Sequence, residues 1–414
     1  MKKRALILFL IITLLLSPCA QAFNISATGA CTMDFESGEF LYEKSSDMSL
    51  TPASLTKIMT LYIVFEKIAE GELSKDTPIV ISENVARLSR DREATNIVLN
   101  EGEAVTLDTL IDAMVIVSAC ASCTAVAEHI SGSEESFALL MNETAAKLGI
   151  SAYFTDASGL SDYNLITPKS MAILVREFIT KYPDILNYTK KNKVWIKGKE
   201  YKNTNQLLDI ESKNYYSGTD GFKTGTTSLA GKCLVSTAQK DGERIISVLM
   251  KAGTNSERYS ESKALLDSAF DRVRYLNSNL FSTDIRAYID GEEIPCSYSL
   301  GRKKTLCITA ENLNFYGFDT YYDAVNSTLY IYENELKEIS PMACEKDAKP
   351  SEPIYKIYDQ PSLKVVLIKD GAQNILETVF SLNGQCCISL DELGKYFNYS
   401  WNTDKRIAVL NTGL

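Results

Sequence analysis

The 414-residue chain predicts an α+β protein followed by small β-rich repeats. Two observations carry this. Between Phe23 and about Leu276, strand patterns stand at both ends with a helical block between them, an order that argues against a doubly wound parallel sheet. Beyond Leu276 the texture turns strand-like and aromatic, and it repeats.

The elements follow in chain order. "MKKRALILFLIITLLLSPCAQA" has a basic start at Lys2, Lys3 and Arg4, an apolar run from Ala5 to Leu16, and small residues at Ala20 and Ala22. That is the pattern of a secretory signal peptide over residues 1–22, cleaved after Ala22. The run is short for a bilayer span, which needs roughly 20 apolar residues. An exported chain with no transmembrane segment after signal cleavage is expected.

"TPASLTKIMTLYIVFEKIAEGEL" reads as a helix, with Thr51 as N-cap, Pro52 at the first helical position and Gly71 as the stop. Its apolar residues go nearly all round, which marks a helix buried in the middle of a domain. "VTLDTLIDAMVIVSACASCTAVAEHISG" predicts two more helices, broken near Ser118. "FKTGTTSLAGKCLVSTAQKDGERIISVLMKAG" predicts successive strands, with Asp241-Gly242 as the hairpin turn between Leu234–Ala238 and Arg244–Met250.

In the tail, Cys307–Tyr332 and Cys387–Thr412 share one order: a strand entered at Cys-Ile, a short helix around Leu313 or Leu393, an aromatic strand, a polar turn and a closing strand. A polar, proline-bearing stretch between them reads as a linker. The expected organisation is a catalytic domain over 23–276, repeats over 277–336 and 356–414, and a linker over 337–355.

Composition removes some function classes. With 43 basic and 53 acidic residues the formal net charge is −10, so a nucleic-acid partner has no general electrostatic support. Of ten cysteines, one falls in the expected signal, and the odd remainder does not describe a complete disulfide framework.

The single histidine, His129, lies at a helix C-terminus, where it suits the carbonyls and the dipole rather than a catalytic triad. A base other than histidine is therefore expected of any hydrolytic activity. "SLTK" offers one. Ser54 and Lys57 are three apart, so their side chains share a helix face with Cβ atoms about 5–6 Å apart. A lysine desolvated in an apolar setting has a lowered pKa and can take the proton of a neighbouring serine hydroxyl. The Ser54 amide, at a helix start without an internal partner, can donate to a developing oxyanion. S-x-x-K alone is weak, because "SESK" (Ser260–Lys263) repeats it on an ordinary helix.

Two further elements follow in order: "VSAC", with Ser118 at the helix break, and "DGFKTGTT", with Lys223-Thr224-Gly225 on a strand. S-x-x-K, S-D-N and K-T-G together are the signature of β-lactamases and penicillin-binding proteins. Lys223 supplies charge and Thr224 a hydroxyl for a substrate carboxylate. Gly225 lets the strand approach a bound acyl group without a Cβ in the way.

From about Ala30 to Phe270 the chain resembles the serine D-alanyl-D-alanine carboxypeptidases, the low-molecular-mass penicillin-binding proteins. The likeness rests on "LYEKSSDMSLTPASLTKIMT", "SGLSDYNLITPKSMAILVREFITKYPDIL", "NTNQLL", "DGFKTGTTSLAGKCLVSTA" and "ERYSESKALLD". It implies a penicillin-binding/β-lactamase-like transpeptidase fold, an antiparallel sheet flanked by helices with a helical subdomain. It also implies that Ser54 is acylated, Lys57 is its base and Ser118 relays a proton. Lys223 and Thr224 would contact substrate, and the Thr226 amide would join that of Ser54 in the oxyanion hole. Arg258 falls where the family holds the terminal carboxylate, a task suited to a two-pronged, always charged group; otherwise it is an exposed helix charge. The implied partners are peptidoglycan stem peptides and, as covalent inhibitors, β-lactams, with no metal or other cofactor.

The sequence departs from the family at Ser118-Ala119-Cys120, where Cys120 stands in the position of an asparagine. Cys120 and Cys123 form C-x-x-C, yet no second Cys/His cluster lies nearby to complete a zinc site, and the βαβ setting of a redox motif is missing. Cys123 reads as a small buried helix residue. A thiol is a weaker hydrogen-bonding group than a carboxamide, so the change is expected to slow or redirect catalysis.

Two alternatives remain at this level. A β-lactamase needs a group to activate the deacylating water, and between Leu148 and Arg176 there is no glutamate. A catalytically impaired wall-binding or regulatory homologue would keep the fold without the activity. The tail resembles the small repeat at the N-terminus of copper amine oxidases, on features such as "YGFDTYYDAVNSTLYIY". It contains no histidine, so no metal role follows, and a β-rich stalk or wall-contact module is expected.

Overall fold

The structure, a computed structural model, describes residues 25–299, 305–344, 353–358, 363–382, 385–402 and 404–413. The expected signal segment lies outside the described residues. The chain divides into two compact units, one holding 25–33 and 40–268, the other 34–39 and 269–413. Among the described residues no helix is long and apolar enough to cross a membrane.

The first unit is built on a five-stranded sheet. Its strands are β1 (Gly29–Asp34), β2 (Phe40–Lys44), β3 (Thr219–Thr227), β4 (Gly231–Lys240) and β5 (Glu243–Ala252), in the order β2-β1-β5-β4-β3. The β4–β5 hairpin turns through Asp241 (φ 51°) and Gly242 (φ 80°), and Lys240 pairs with Glu243. Two positive φ values suit the right-handed twist of a tight hairpin, so this turn is as the Asp-Gly pair predicts. β3 pairs with β4 and forms the sheet edge, placing Lys223-Thr224-Gly225 against the turn that carries Ser54.

The helices of six or more residues are α1 (Lys57–Ala69), α2 (Glu83–Leu88), α3 (Leu107–Asp112), α4 (Cys120–Ser131), α5 (Glu134–Lys147), α6 (Pro168–Lys181) and α7 (Asn255–Asn277). α6 packs on β5, while α2, α3 and α5 gather around α4 as a helical subdomain. Every residue of α1 from Lys57 to Phe65 is buried, in line with its all-round apolar sequence. The helix ends at Glu70 with Gly71 at φ 78°, a left-handed position that glycine occupies without a Cβ penalty.

The second unit bears out the repeated element order and adds what a linear reading does not contain. The two Cys-Ile strands, Thr305–Thr309 and Gln385–Ser389, pair antiparallel with each other, Ile308 opposite Ile388. They belong to one closed six-stranded barrel. The closing strand of the first segment, Thr328–Glu333, runs parallel to Lys364–Lys369, and that of the second, Ile407–Asn411, runs parallel to Arg286–Ile289. One core takes Leu313, Phe318 and Ile331 from the first segment and Ile388, Leu393 and Leu410 from the second. The segments are interleaved rather than strung in tandem.

Candidate active site

The SLTK segment does not begin as an ordinary α-helix. Pro52 precedes a 3₁₀ turn over Ala53–Thr56, and α1 starts only at Lys57. Thr51 is not the N-cap; its hydroxyl donates to the Asp162 carbonyl at 3.5 Å. In a 3₁₀ turn residues i and i+3 eclipse each other. This brings Lys57 Nζ to 3.2 Å from Ser54 Oγ.

Two glycines clasp this turn. A Cβ at Gly225 would stand 2.7 Å from the Pro52 carbonyl oxygen. One at Gly159, which has φ +85°, would stand 1.9 Å from the Ala53 carbonyl oxygen. Gly225 is thus required by the Ser54 turn itself, a nearer reason than the approach to substrate that the sequence suggests.

Lys57 is fully buried and its ammonium reaches three acceptors: Ser54 Oγ, Cys120 Sγ at 3.4 Å and the Ser158 carbonyl at 2.7 Å. Burial is the largest influence on it and disfavours the charge. Cys120, Cys123, the Cys120 hydrogen bond and the Asp156 charge oppose burial, and the net direction for Lys57 is upward. Burial pushes the Cys123 thiol far up. At rest Lys57 is thus held as the ammonium that donates to Ser54, Cys120 and Ser158, and it must give up its proton before it can act as a base.

The second motif sits at a break. α3 widens into a π turn over Ala113–Val117, Ser118 adopts the left-handed conformation (φ 66°, ψ 32°), and α4 begins at Cys120. Such local π turns occur often at functional sites. The opening amides of α4 are met from outside the helix, Cys120 N–H by the Thr95 carbonyl at 2.9 Å and Ala121 N–H by Asn96 Oδ1 at 2.7 Å. Cys120 is buried with its sulfur on Lys57 and its thiol 3.9 Å from the Ser118 carbonyl. Cys123 is buried one turn on and donates to the Ala119 carbonyl. Among the described residues no hydrogen bond reaches the Ser118 hydroxyl, so the expected relay is not closed here. His129 is exposed in the last turn of α4. No group of three His, Cys, Asp or Glu side chains among the described residues is arranged to hold a metal ion.

β3 supplies the opposite wall. Lys223 is buried and pushed down to about 7, by burial first and then by the Lys57 charge. Thr224 donates its hydroxyl to Thr204 Oγ1 at 2.7 Å. Thr226, exposed, accepts from Arg258 at 3.2 Å. Arg258 also donates to the Gly225 carbonyl at 3.4 Å and lies over the Tyr259 ring, 4.9 Å from its centroid. Only 7% of Arg258 is exposed, and its buried Nε has no hydrogen-bond partner. It is a buried cation with donor capacity left over, not an exposed helix charge. The second S-x-x-K behaves otherwise: Ser260 is exposed and Lys263 points away to the Lys213 carbonyl.

Thr204 was not singled out by the sequence reading, although it lies in "NTNQLL". It receives the Thr224 hydroxyl, its carbonyl accepts from Tyr259, and its amide donates to Ile116 in the π turn. One residue therefore ties the Ser118 break, β3 and α7 together. Ser158 was missed as well, because its contribution is a backbone carbonyl that no side-chain motif reveals.

Comparisons with known proteins point to one family. A family model described as D-alanyl-D-alanine carboxypeptidase matches residues 17–254. D-alanyl-D-alanine carboxypeptidase DacF of Bacillus subtilis is 34% identical over 257 residues, 59% of this chain and 62% of that protein. The chain thus spans less than two thirds of that relative's length. The solved structure of penicillin-binding protein D2 from Listeria monocytogenes, in its cefotaxime-bound form, is 31% identical, covers 60% of this chain and 98% of its own, and has a TM-score of 0.54. The Streptomyces K15 DD-transpeptidase is 25% identical, covers 60% and 99%, and has a TM-score of 0.56. It has been solved with a serine, and separately with a cysteine two positions later, replaced. Ser118 and Cys120 stand at the same spacing.

Proposed function

The chain belongs to the D-alanyl-D-alanine carboxypeptidase family, and from that premise we propose that it is a penicillin-binding serine D,D-carboxypeptidase. It would remove the terminal D-alanine of peptidoglycan stem peptides through an acyl-Ser54 intermediate. The observation that carries this reading is the 3.2 Å contact between Lys57 Nζ and Ser54 Oγ, with Lys57, Lys223 and Arg258 all buried.

In the proposed reaction, the substrate's terminal carboxylate meets Arg258 and the Thr224 and Thr226 hydroxyls. Lys57, as the free amine, accepts the Ser54 proton while Oγ bonds to the carbonyl carbon of the penultimate D-alanine. The Ser54 and Thr226 amides hold the resulting oxyanion. Collapse breaks the C–N bond, and the departing D-alanine nitrogen takes a proton delivered by way of Ser118. Water then adds to the acyl carbon while Lys57 takes its proton, and the C–Oγ bond breaks as Lys57 returns that proton to Ser54 Oγ, freeing the shortened peptide. With a β-lactam the broken C–N bond leaves the amine tethered in the site. No glutamate between Leu148 and Arg176 is available to drive deacylation, so the adduct should last.

We further read the chain as exported, on its first 22 residues, and the second unit as a wall-contact module, on its likeness to the copper amine oxidase repeat. The central test is intact-mass measurement of the mature protein after incubation with penicillin, beside Ser54→Ala. A lasting adduct absent from Ser54→Ala supports the nucleophile. A folded wild-type protein that gains no mass would remove the carboxypeptidase reading and favour a wall-binding homologue.

A further inference from the structure

Asn203, Thr204 and Asn205 run past β3, and the two asparagines anchor the segment. Both are buried. Asn203 donates its side-chain amide to the Lys191 carbonyl at 2.9 Å, and its side-chain oxygen accepts the Asn205 N–H at 2.9 Å. Asn205 donates to the Gly221 carbonyl in β3 at 3.2 Å and accepts the Leu207 N–H at 3.2 Å. The Thr204 backbone is held as well. Its N–H donates to the Ile116 carbonyl at 3.3 Å, and its carbonyl accepts the Tyr259 hydroxyl at 2.9 Å.

On this fixed mount the half-buried Thr204 meets Thr224 through one hydroxyl, which accepts the Thr224 hydroxyl at 2.7 Å. The direction of that bond matters. A hydroxyl has one proton to give and two lone pairs with which to receive. The Thr224 proton is spent on Thr204, so Thr224 can offer an incoming group only lone pairs. An ionised carboxylate accepts and cannot donate, so it needs that proton.

Among the described residues no acceptor takes the Thr204 proton. The pair can therefore reverse without losing its bond: Thr204 donates to Thr224, and the Thr224 proton turns to the carboxylate. A hydrogen bond received by a hydroxyl strengthens the one it gives, so the reversed pair is a better donor than Thr224 alone. The same residue also backs the cation. Arg258 Nη2 donates to the Tyr259 hydroxyl at 3.4 Å, and that hydroxyl donates to the Thr204 carbonyl.

Resting on the carboxypeptidase reading, we propose that Thr204 is a positioning residue for recognition of the substrate's terminal carboxylate. It takes the Thr224 proton until substrate binds, then reverses and donates to Thr224, which donates to the carboxylate. Thr204 itself touches neither the carboxylate nor the reacting atoms. Its hydroxyl sets how strongly the enzyme prefers a free C-terminus, and the acyl transfer at Ser54 does not pass through it.

The test is cleavage of a D-Ala-D-Ala peptide and of the same peptide as its C-terminal amide, read as the ratio of the two kcat/KM values. Thr204→Val removes the hydroxyl with little change of shape, so the acid-to-amide ratio should fall by roughly threefold or more. Thr204→Ser keeps the hydroxyl and should hold the wild-type ratio. In a Thr224→Val background the Thr204 hydroxyl has nothing to act through, so adding Thr204→Val should leave the ratio unmoved. The ratio is internal to each protein, which cancels any general loss of folded enzyme. A wild-type ratio in Thr204→Val overturns the assignment. So does a further change when Thr204→Val is added to Thr224→Val, or a ratio lost in Thr204→Ser, which would place the effect in packing. Wild type that cleaves acid and amide equally also overturns it, while leaving the carboxypeptidase reading intact. Wild type that cleaves neither overturns both.

Discussion

Replacing Cys120 by asparagine should raise turnover, and the structure gives the size of the gain. The Lys57 ammonium now spends one of its three donors on a sulfur at 3.4 Å. Sulfur is a weak acceptor and a thiol a weak donor, whereas a carboxamide offers a good acceptor to Lys57 and two N–H donors to the substrate's acyl group. The side chain points into the site from the first residue of α4, whose amide is already held by Thr95, so the backbone has no reason to move. A hydrogen bond involving a charged partner contributes about 1.5–3 kcal/mol. At the lower end this is roughly tenfold in rate, since each 1.36 kcal/mol is a factor of ten. The assay is kcat/KM for D-alanine release, normalised to the fraction of protein that penicillin acylates. An unchanged or lower value in fully acylatable Cys120→Asn would refute the view that the cysteine limits the enzyme.

Four further outcomes follow from the same wall of the site. Lys223, held down to about 7 by burial and Lys57, loses its charge as pH rises through that value, so kcat/KM for a carboxylate substrate should fall there; Lys223→Arg should move that limb upward, and an unmoved limb would assign it to another group. The same depression means that the unfolded state binds more protons between about 7 and the ordinary lysine range, so wild type should gain stability across that window relative to Lys223→Met, read as the difference in Tm. Gly225→Ala places a methyl 2.7 Å from the Pro52 carbonyl, which should cost about 1–3 kcal/mol of stability and slow penicillin acylation on the order of 100-fold by displacing Ser54; acylation at the wild-type rate would show that the turn tolerates the shift. Arg258→Gln should lower kcat/KM for D-Ala-D-Ala peptides by roughly tenfold or more and spare the matching C-terminal amide; equal losses on both would make Arg258 a purely structural cation.

Much of this was legible in one dimension because it is local. The all-round apolar character of α1, the Asp241-Gly242 hairpin, the break at Ser118 and the order of elements in both tail segments depend on neighbours a few residues apart. Residue type and spacing encode such features directly, through hydrophobic periodicity and the few residues that tolerate positive φ. The three motifs were legible for the same reason, each being a short string.

Tertiary structure alone decided the rest. That Arg258 is buried rather than exposed depends on Gly225, Thr226 and Tyr259, two of which lie more than thirty residues upstream, at |i−j| of 33 and 32. That Gly225 serves the Ser54 turn depends on a β-strand meeting a 3₁₀ turn from far up the chain. The coordination of Lys57 by the Ser158 carbonyl comes from 101 residues away, through a backbone atom that every residue type possesses and no sequence pattern can mark. The interleaving of the tail segments is likewise a matter of which edges pair, and strand edges are backbone, identical whatever side chains they bear. Side-chain chemistry written along the chain determined which groups are available for catalysis. Burial and long-range backbone contacts determined the charge each carries and the neighbour it faces.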